Sequence, residues 1–140
     1  MEEKTALARG LGRTLFGWSI ASIIVGIVLY LYVDSFIQGL AVQAILWGII
    51  DIVIAAFTLH KQSDDPAVKL ARVLYINVGL DVIYQAVGLL LLIFAWQNPF
   101  IAGNGVGVII QGAFLFVLDL FYYRKMKAVA KREDEQTRDV

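Results

Sequence analysis

Three aspartates lie deep in apolar sequence, at Asp51, Asp81 and Asp119. A carboxyl group can hold a proton, coordinate a metal ion, pair with an organic cation or act as acid and base on a substrate. None of the three shares its apolar run with a Lys or Arg that would neutralise it. Neutral polar groups accompany them at helical spacing. Asn77, Asp81 and Gln85 follow one another at i, i+4 and i+8, with Tyr84 beside them. Gln43, Trp47 and Asp51 form a second such stripe, and Gln111, Leu115 and Asp119 a third. Residues at these intervals share one face of a helix. The expectation is a common interior lined by Asp51, Asp81, Asp119, Gln43, Gln85, Gln111 and Asn77, with Trp47 and Tyr84 as aromatic neighbours. Its acids would be either protonated and bonded to amide oxygens, or ionised around a proton, a metal ion or an organic cation. An indole beside a carboxylate, as at Trp47, suits a cation.

The competing reading is structural. Polar side chains between membrane helices commonly do no more than hydrogen-bond, for about 0.6 kcal/mol each. That reading fits the amides better than the acids, because intramembrane acids are expensive to retain. Asp119, five residues before Arg124, could also pair with that arginine. Other chemistry finds little support. There is no cysteine and a single histidine, His60, so neither thiol chemistry nor a zinc centre is expected, and no cofactor is implied. Ser19 and Ser22 have no histidine nearby to activate them. Gly103, Gly105 and Gly107 follow no strand and read as close-packing residues. The basic run Arg124, Lys125, Lys127, Lys131 and Arg132 is followed by Glu133, Asp134 and Glu135, a mixture that argues against nucleic acid.

Four apolar helices must position these groups. The chain has 140 residues, 59% of them hydrophobic, above the 45–50% or so of soluble domains. Spans are expected at about 13–33, 36–60, 68–96 and 100–125. About twenty residues of helix cross a bilayer core. A charged tail, 126–140, would follow as a helical extension that frays, and residues 1–13 would form a lead-in loosened by Gly10 and Gly12. Asp65 and Pro66 form a helix-start signal for the third span. The predicted fold is therefore all-α: a four-helix transmembrane bundle of two tandem hairpins, forming one domain in a lipid bilayer.

All twelve Lys and Arg fall in the N-terminal segment to Arg13, in the link between the second and third spans and the first turn after it, or in the C-terminal segment from Arg124. The positive-inside rule then predicts cytoplasmic termini and a multi-pass protein of the cell (inner or plasma) membrane. The pattern G-x3-Q-x7-D occurs twice, from Gly39 to Asp51 and from Gly107 to Asp119, 68 residues apart. Gly17 and Gly26 share a nine-residue spacing with Gly79 and Gly88. Together they suggest an internal repeat about an axis along the membrane normal.

The segments Gln43-x3-Trp47-Gly48, Asn77-x-Gly79-Leu80-Asp81-x2-Tyr84 and Gly103-x-Gly105-x-Gly107-x3-Gln111-Gly112-x-Phe114-Leu115-x3-Asp119 resemble a bacterial family of small four-helix integral membrane proteins of unknown function. The resemblance implies the fold and the membrane location and carries no activity. Three functions remain in view. The first is binding or transport of a cation, proton or small polar molecule, with a homodimer supplying further wall. The second is a non-catalytic structural or partner-binding subunit. The third is an intramembrane enzyme using carboxylates as acid and base, disfavoured because no nucleophile accompanies them.

Overall fold

The computed structural model describes residues 2–60 and 65–139 as four helices: α1 (Glu2–Tyr30), α2 (Ser35–His60), α3 (Ala67–Phe94) and α4 (Pro99–Arg138). All four are long and apolar enough to cross a membrane. In hydrocarbon a chain must satisfy its backbone internally, and these runs do so as helices. The two prolines cause no kink, because both lie at helix starts: Pro66 immediately precedes α3, and Pro99 is the first residue of α4.

The two hairpin turns are built alike. The Asp34 side chain accepts from the Ile37 N–H at 3.0 Å, and the Asn98 side chain accepts from the Ile101 N–H at 3.3 Å. Each thereby occupies an otherwise unpaired N–H at a helix start. The third start departs from expectation. Pro66, not Asp65, is the cap residue of α3, and Glu133 of α4 accepts from the Ala67 N–H at 3.1 Å. Residues 61–64 of that link lie outside the described residues.

Helix ends also differ from those read in the sequence. The first helix begins at Glu2, because the lead-in packs rather than loosens. A Cβ at Gly10 would touch the Tyr122 hydroxyl, and one at Gly12 would touch Leu59. At the other end of the chain, α4 continues to Arg138. Its extension is held by Met126 and Val129, which pack with Ala67, Ala71 and Leu74 of α3 and with Leu7 and Leu11 of α1. Arg132 adds an ion pair to Glu3 at 2.7 Å, and the Lys4 ammonium donates to the Asp65 carbonyl at 2.6 Å. Apolar packing carries most of this, since exposed ion pairs contribute about 0–1 kcal/mol each.

Glycines set the register in which the helices meet. Within the first hairpin, Gly26 of α1 lies against Ala41 and Ile45, and Gly48 of α2 against Ser19 and Ile23. Within the second, Gly88 of α3 lies against Gly105 and Ile109, and Gly112 of α4 against Asp81 and Gln85. These pairs superimpose when α1 is shifted by 62 residues onto α3 and α2 by 64 onto α4. The α2–α4 crossing follows the same rule. Gly39 abuts the Phe100 carbonyl while Gly103 abuts the Phe36 carbonyl. Sequence agrees: Phe36-Ile37-x-Gly39-x2-Val42-x2-Ile45-x2-Gly48 returns as Phe100-Ile101-x-Gly103-x2-Val106-x2-Ile109-x2-Gly112.

The duplication is therefore real, but the 68-residue register expected from G-x3-Q-x7-D is corrected to 64. The two differ by four residues, close to one helical turn, so both place the same face inward. Only the close contacts separate them. In the corrected register Asp51 corresponds to Leu115 and Asp119 to Ala55. On the odd-numbered helices Asp81 corresponds to Ser19 and Asn77 to Leu15.

Candidate functional site

The nine polar and aromatic residues expected in one interior fall into three groups. The first is acidic. Asp51, Asp81 and Asp119 are 1%, 2% and 8% exposed, although the apolar residues next to Asp81 (Leu80 and Val82) and Ile50 beside Asp51 face outward. They converge from α2, α3 and α4. The Asp81 and Asp119 carboxyls lie within hydrogen-bond reach of each other, and Asp51 is close enough to act electrostatically on both. Asp119 thus turns inward to Asp81 rather than outward to Arg124. One oxygen of Asp51 and one of Asp81 are buried without a hydrogen-bonding donor among the described residues. Ionised carboxylates are acceptors only, so two of them can hydrogen-bond only with a proton between them. No group of three or more His, Cys, Asp or Glu is arranged to hold a metal ion among the described residues.

The second group flanks the acids on the side of the hairpin turns. Gln43 donates to Asn104 of α4 at 2.8 Å and accepts from the Trp47 indole at 3.0 Å. Trp47 meets Tyr84 of α3 edge-on, with ring centroids 5.0 Å apart. The polar stripe of α2 is thus read in order: an amide tied across the α2–α4 crossing, an indole held by that amide, and Asp51 one turn further. On α3 Gln85 lies one turn from Asp81 toward the hairpin turns, while Asn77 lies one turn the other way, apart from this group; both are half-buried. The Gln85 stem packs where a Cβ at Gly112 would point.

The third group is separate. Gln111 turns to α1, where its carbonyl accepts from the Trp18 indole at 2.8 Å and its amide donates to the Ser22 hydroxyl at 3.4 Å. Trp18 stacks on Phe114 at 3.8 Å between centroids, with the rings nearly parallel. A cavity of about 210 Å³ opens beside this group, bounded by Ser22, Val25, Leu40, Ala44, Gly107 and Gln111. It is remote from the acids in lining and in chemistry. Trp18, Ser22 and Asn104 were not among the residues expected at a site. The signal for two of them was available, since Trp18 and Ser22 are four residues apart on one face of α1.

The duplication gives these groups a meaning. The equivalents of the acidic positions are Ser19, Ala55 and Leu115, and Ala55 and Leu115 belong to an apolar cluster with Leu15 and Leu118. Of two chambers that the repeat builds, one carries three carboxylates and the other hydrocarbon with a single hydroxyl, that of Ser19, which is bonded to the Leu15 carbonyl of its own helix. Packing alone would have been met by the apolar version. Burying three acids instead is a departure that costs stability in a membrane.

No curated protein and no solved structure matches the chain at a significant level. The model of a family of unknown function, DUF6992, matches residues 14–120, and the chain belongs to that family. The matched segment contains all three acids and every residue of the two hydrogen-bonded groups.

Proposed function

We propose that this member of the family is a multi-pass membrane protein whose acidic chamber binds and moves a cation, and that the cation is a proton. The observation that carries this reading is the meeting of Asp81 and Asp119 at hydrogen-bond reach, with Asp51 facing both and no basic side chain in any of the apolar runs. A proton fits between two touching carboxyls without displacing a side chain. A metal ion would need a ligand geometry that the described residues do not offer. The residues that would act are Asp81 and Asp119 as the shared proton site and Asp51 as the group that exchanges with it. Trp47, held by Gln43 and leaning on Tyr84, would close the chamber toward the hairpin turns. Four helices offer little wall for a whole pathway, and a homodimer forms part of the proposal.

The test is proton uptake into proteoliposomes under an imposed potassium diffusion potential, read by a pH dye inside. The parent should acidify the lumen, and Asp51→Asn, which keeps shape and hydrogen bonding, should slow the change severalfold at equal incorporation. A parent no faster than empty liposomes would sink the reading and leave the structural one, which the fully bonded Gln43, Trp47 and Asn104 group would then represent.

Orientation is a separate part of the proposal. Basic residues are confined to the ends of the helices that include both termini, which supports cytoplasmic termini and placement in the inner or plasma membrane. The chain has no cysteine, so single cysteines report cleanly. A membrane-impermeant maleimide should label Ser35→Cys in intact cells and should reach Lys127→Cys only after lysis. The reverse pattern would invert the topology.

A further inference from the structure

A cavity lies between α1, α2 and α4. Its lining positions have equivalents on the other side of the molecule. Ser22 corresponds to Tyr84, Gly107 to Gln43 and Gln111 to Trp47. In each of these three pairs the residue at the cavity is the smaller, whereas Trp18, which lines the opposite wall, is larger than its equivalent Leu80. On the other side Tyr84 and Trp47 fill the space ring against ring at 5.0 Å, with Gln43 holding the indole. On this side Ser22 and Gln111 stand where those two rings stand, and a space of about 210 Å³ is open beside the Trp18 indole.

We propose that this cavity is a binding site for an uncharged single-ring amphiphile carrying one hydroxyl or carbonyl group, seated as the Tyr84 phenol is seated in the other half. Size supports a ring: an apolar cavity of about 150 Å³ already accepts benzene. The lining is hydrocarbon apart from Ser22, Gln111 and the Trp18 indole, with no ionisable side chain, so a charged ligand would lose its hydration without replacement. Hydrogen-bonding capacity remains at the polar end. The Gln111 amide has two N–H groups, one directed at Ser22, and its carbonyl has two lone pairs, one taken by Trp18. Val25 and Ile110, both about half exposed, form the rim and face the hydrocarbon layer, where such molecules concentrate. The site is independent of the acidic chamber and does not rest on proton transport.

Trp18 lines the cavity and reports on it directly. In the full chain carrying Trp47→Phe and Trp96→Phe, Trp18 is the remaining indole, and 4-bromophenol is a heavy-atom quencher of the right shape. Saturable quenching is expected. Ser22→Tyr, which restores the ring found in the other half, should remove saturation, and so should Ala44→Leu, a smaller filling. Gln111→Leu should weaken half-saturation about tenfold, the value of one hydrogen bond of about 1.4 kcal/mol. Quenching that rises linearly and equally in the parent and both filling variants would mean partitioning alone and would overturn the proposal. A second arm uses nanodiscs of phospholipid brominated on its acyl chains. Relief of Trp18 quenching by p-cresol supports the ring site. Persistent quenching that p-cresol does not relieve means a lipid tail occupies the groove, and the proposal fails.

Discussion

Gly39→Leu or Gly103→Leu should separate α2 from α4 and cost the protein at least about 3 kcal/mol of stability, the upper end of ordinary overpacking. The expectation rests on what a side chain would meet. A Cβ at Gly39 would run into the carbonyl of Phe100, and one at Gly103 into the carbonyl of Phe36. Both obstacles are backbone, so no neighbouring rotamer can yield, and the helices themselves must move apart. Separation would also break the Gln43–Asn104 hydrogen bond one turn along and would carry Asp51 away from Asp119. The two substitutions should be nearly equivalent, because the positions are mates in the duplication. Gly17→Ala and Gly79→Ala are the controls. A Cβ at either meets no described atom within 4 Å, and alanine is the better helix former by about 1 kcal/mol. Unfolding in mixed micelles measures all four. A Gly39→Leu variant as stable as Gly17→Ala would mean that α2 and α4 do not cross here.

What could be read from the sequence divides along physical lines. Apolar length identifies the four helices, because lipid leaves a spanning chain few alternatives to helix. Polar spacing correctly points Asp51, Asp81 and Asp119 inward, since a carboxylate facing lipid is costly. Periodicity does not say which inward-facing residues meet. Gln43 and Gln111 share an apparent motif, yet one ties α2 to α4 and the other turns to α1. The motif misleads because a slip of four residues preserves the inward face. Tight Gly contacts break that ambiguity, and they depend on backbone approach, which a hydropathy pattern does not encode. The long α4 is a similar case. Charged residues after Lys125 read as a fraying tail, whereas Met126 and Val129, two apolar residues three apart, suffice to pack it against α3. The cavity beside Trp18 had no signature in either half alone and became legible only once the halves were superimposed.

Under the proposed proton transport, the largest functional effect should come from Asp81 and Asp119 acting as one unit. Each carboxyl alone can accept a hydrogen bond, but the contact between them needs a shared proton. Asn at either position donates to the remaining carboxylate without supplying an exchangeable acidic proton. Asp81→Asn and Asp119→Asn should therefore each lower proton uptake by on the order of a hundredfold, the lower end of what a positioned proton-transfer group contributes. The double variant should be scarcely worse than either single one, as groups that form one site are strongly non-additive. Asp51→Asn should be milder, because Asp51 faces the pair from α2 and is not the group hydrogen-bonded within it. Stability should move in the opposite sense to transport. Two neighbouring carboxyls in hydrocarbon oppose folding, and an amide facing a carboxyl removes part of that opposition, so both single variants should be at least as stable as the parent. A scaffold role predicts the contrary pattern, with stability lost and nothing else to lose. If instead the two flux losses multiply in the double variant, Asp81 and Asp119 are independent stations along a path, and the shared site is wrong even though transport would stand.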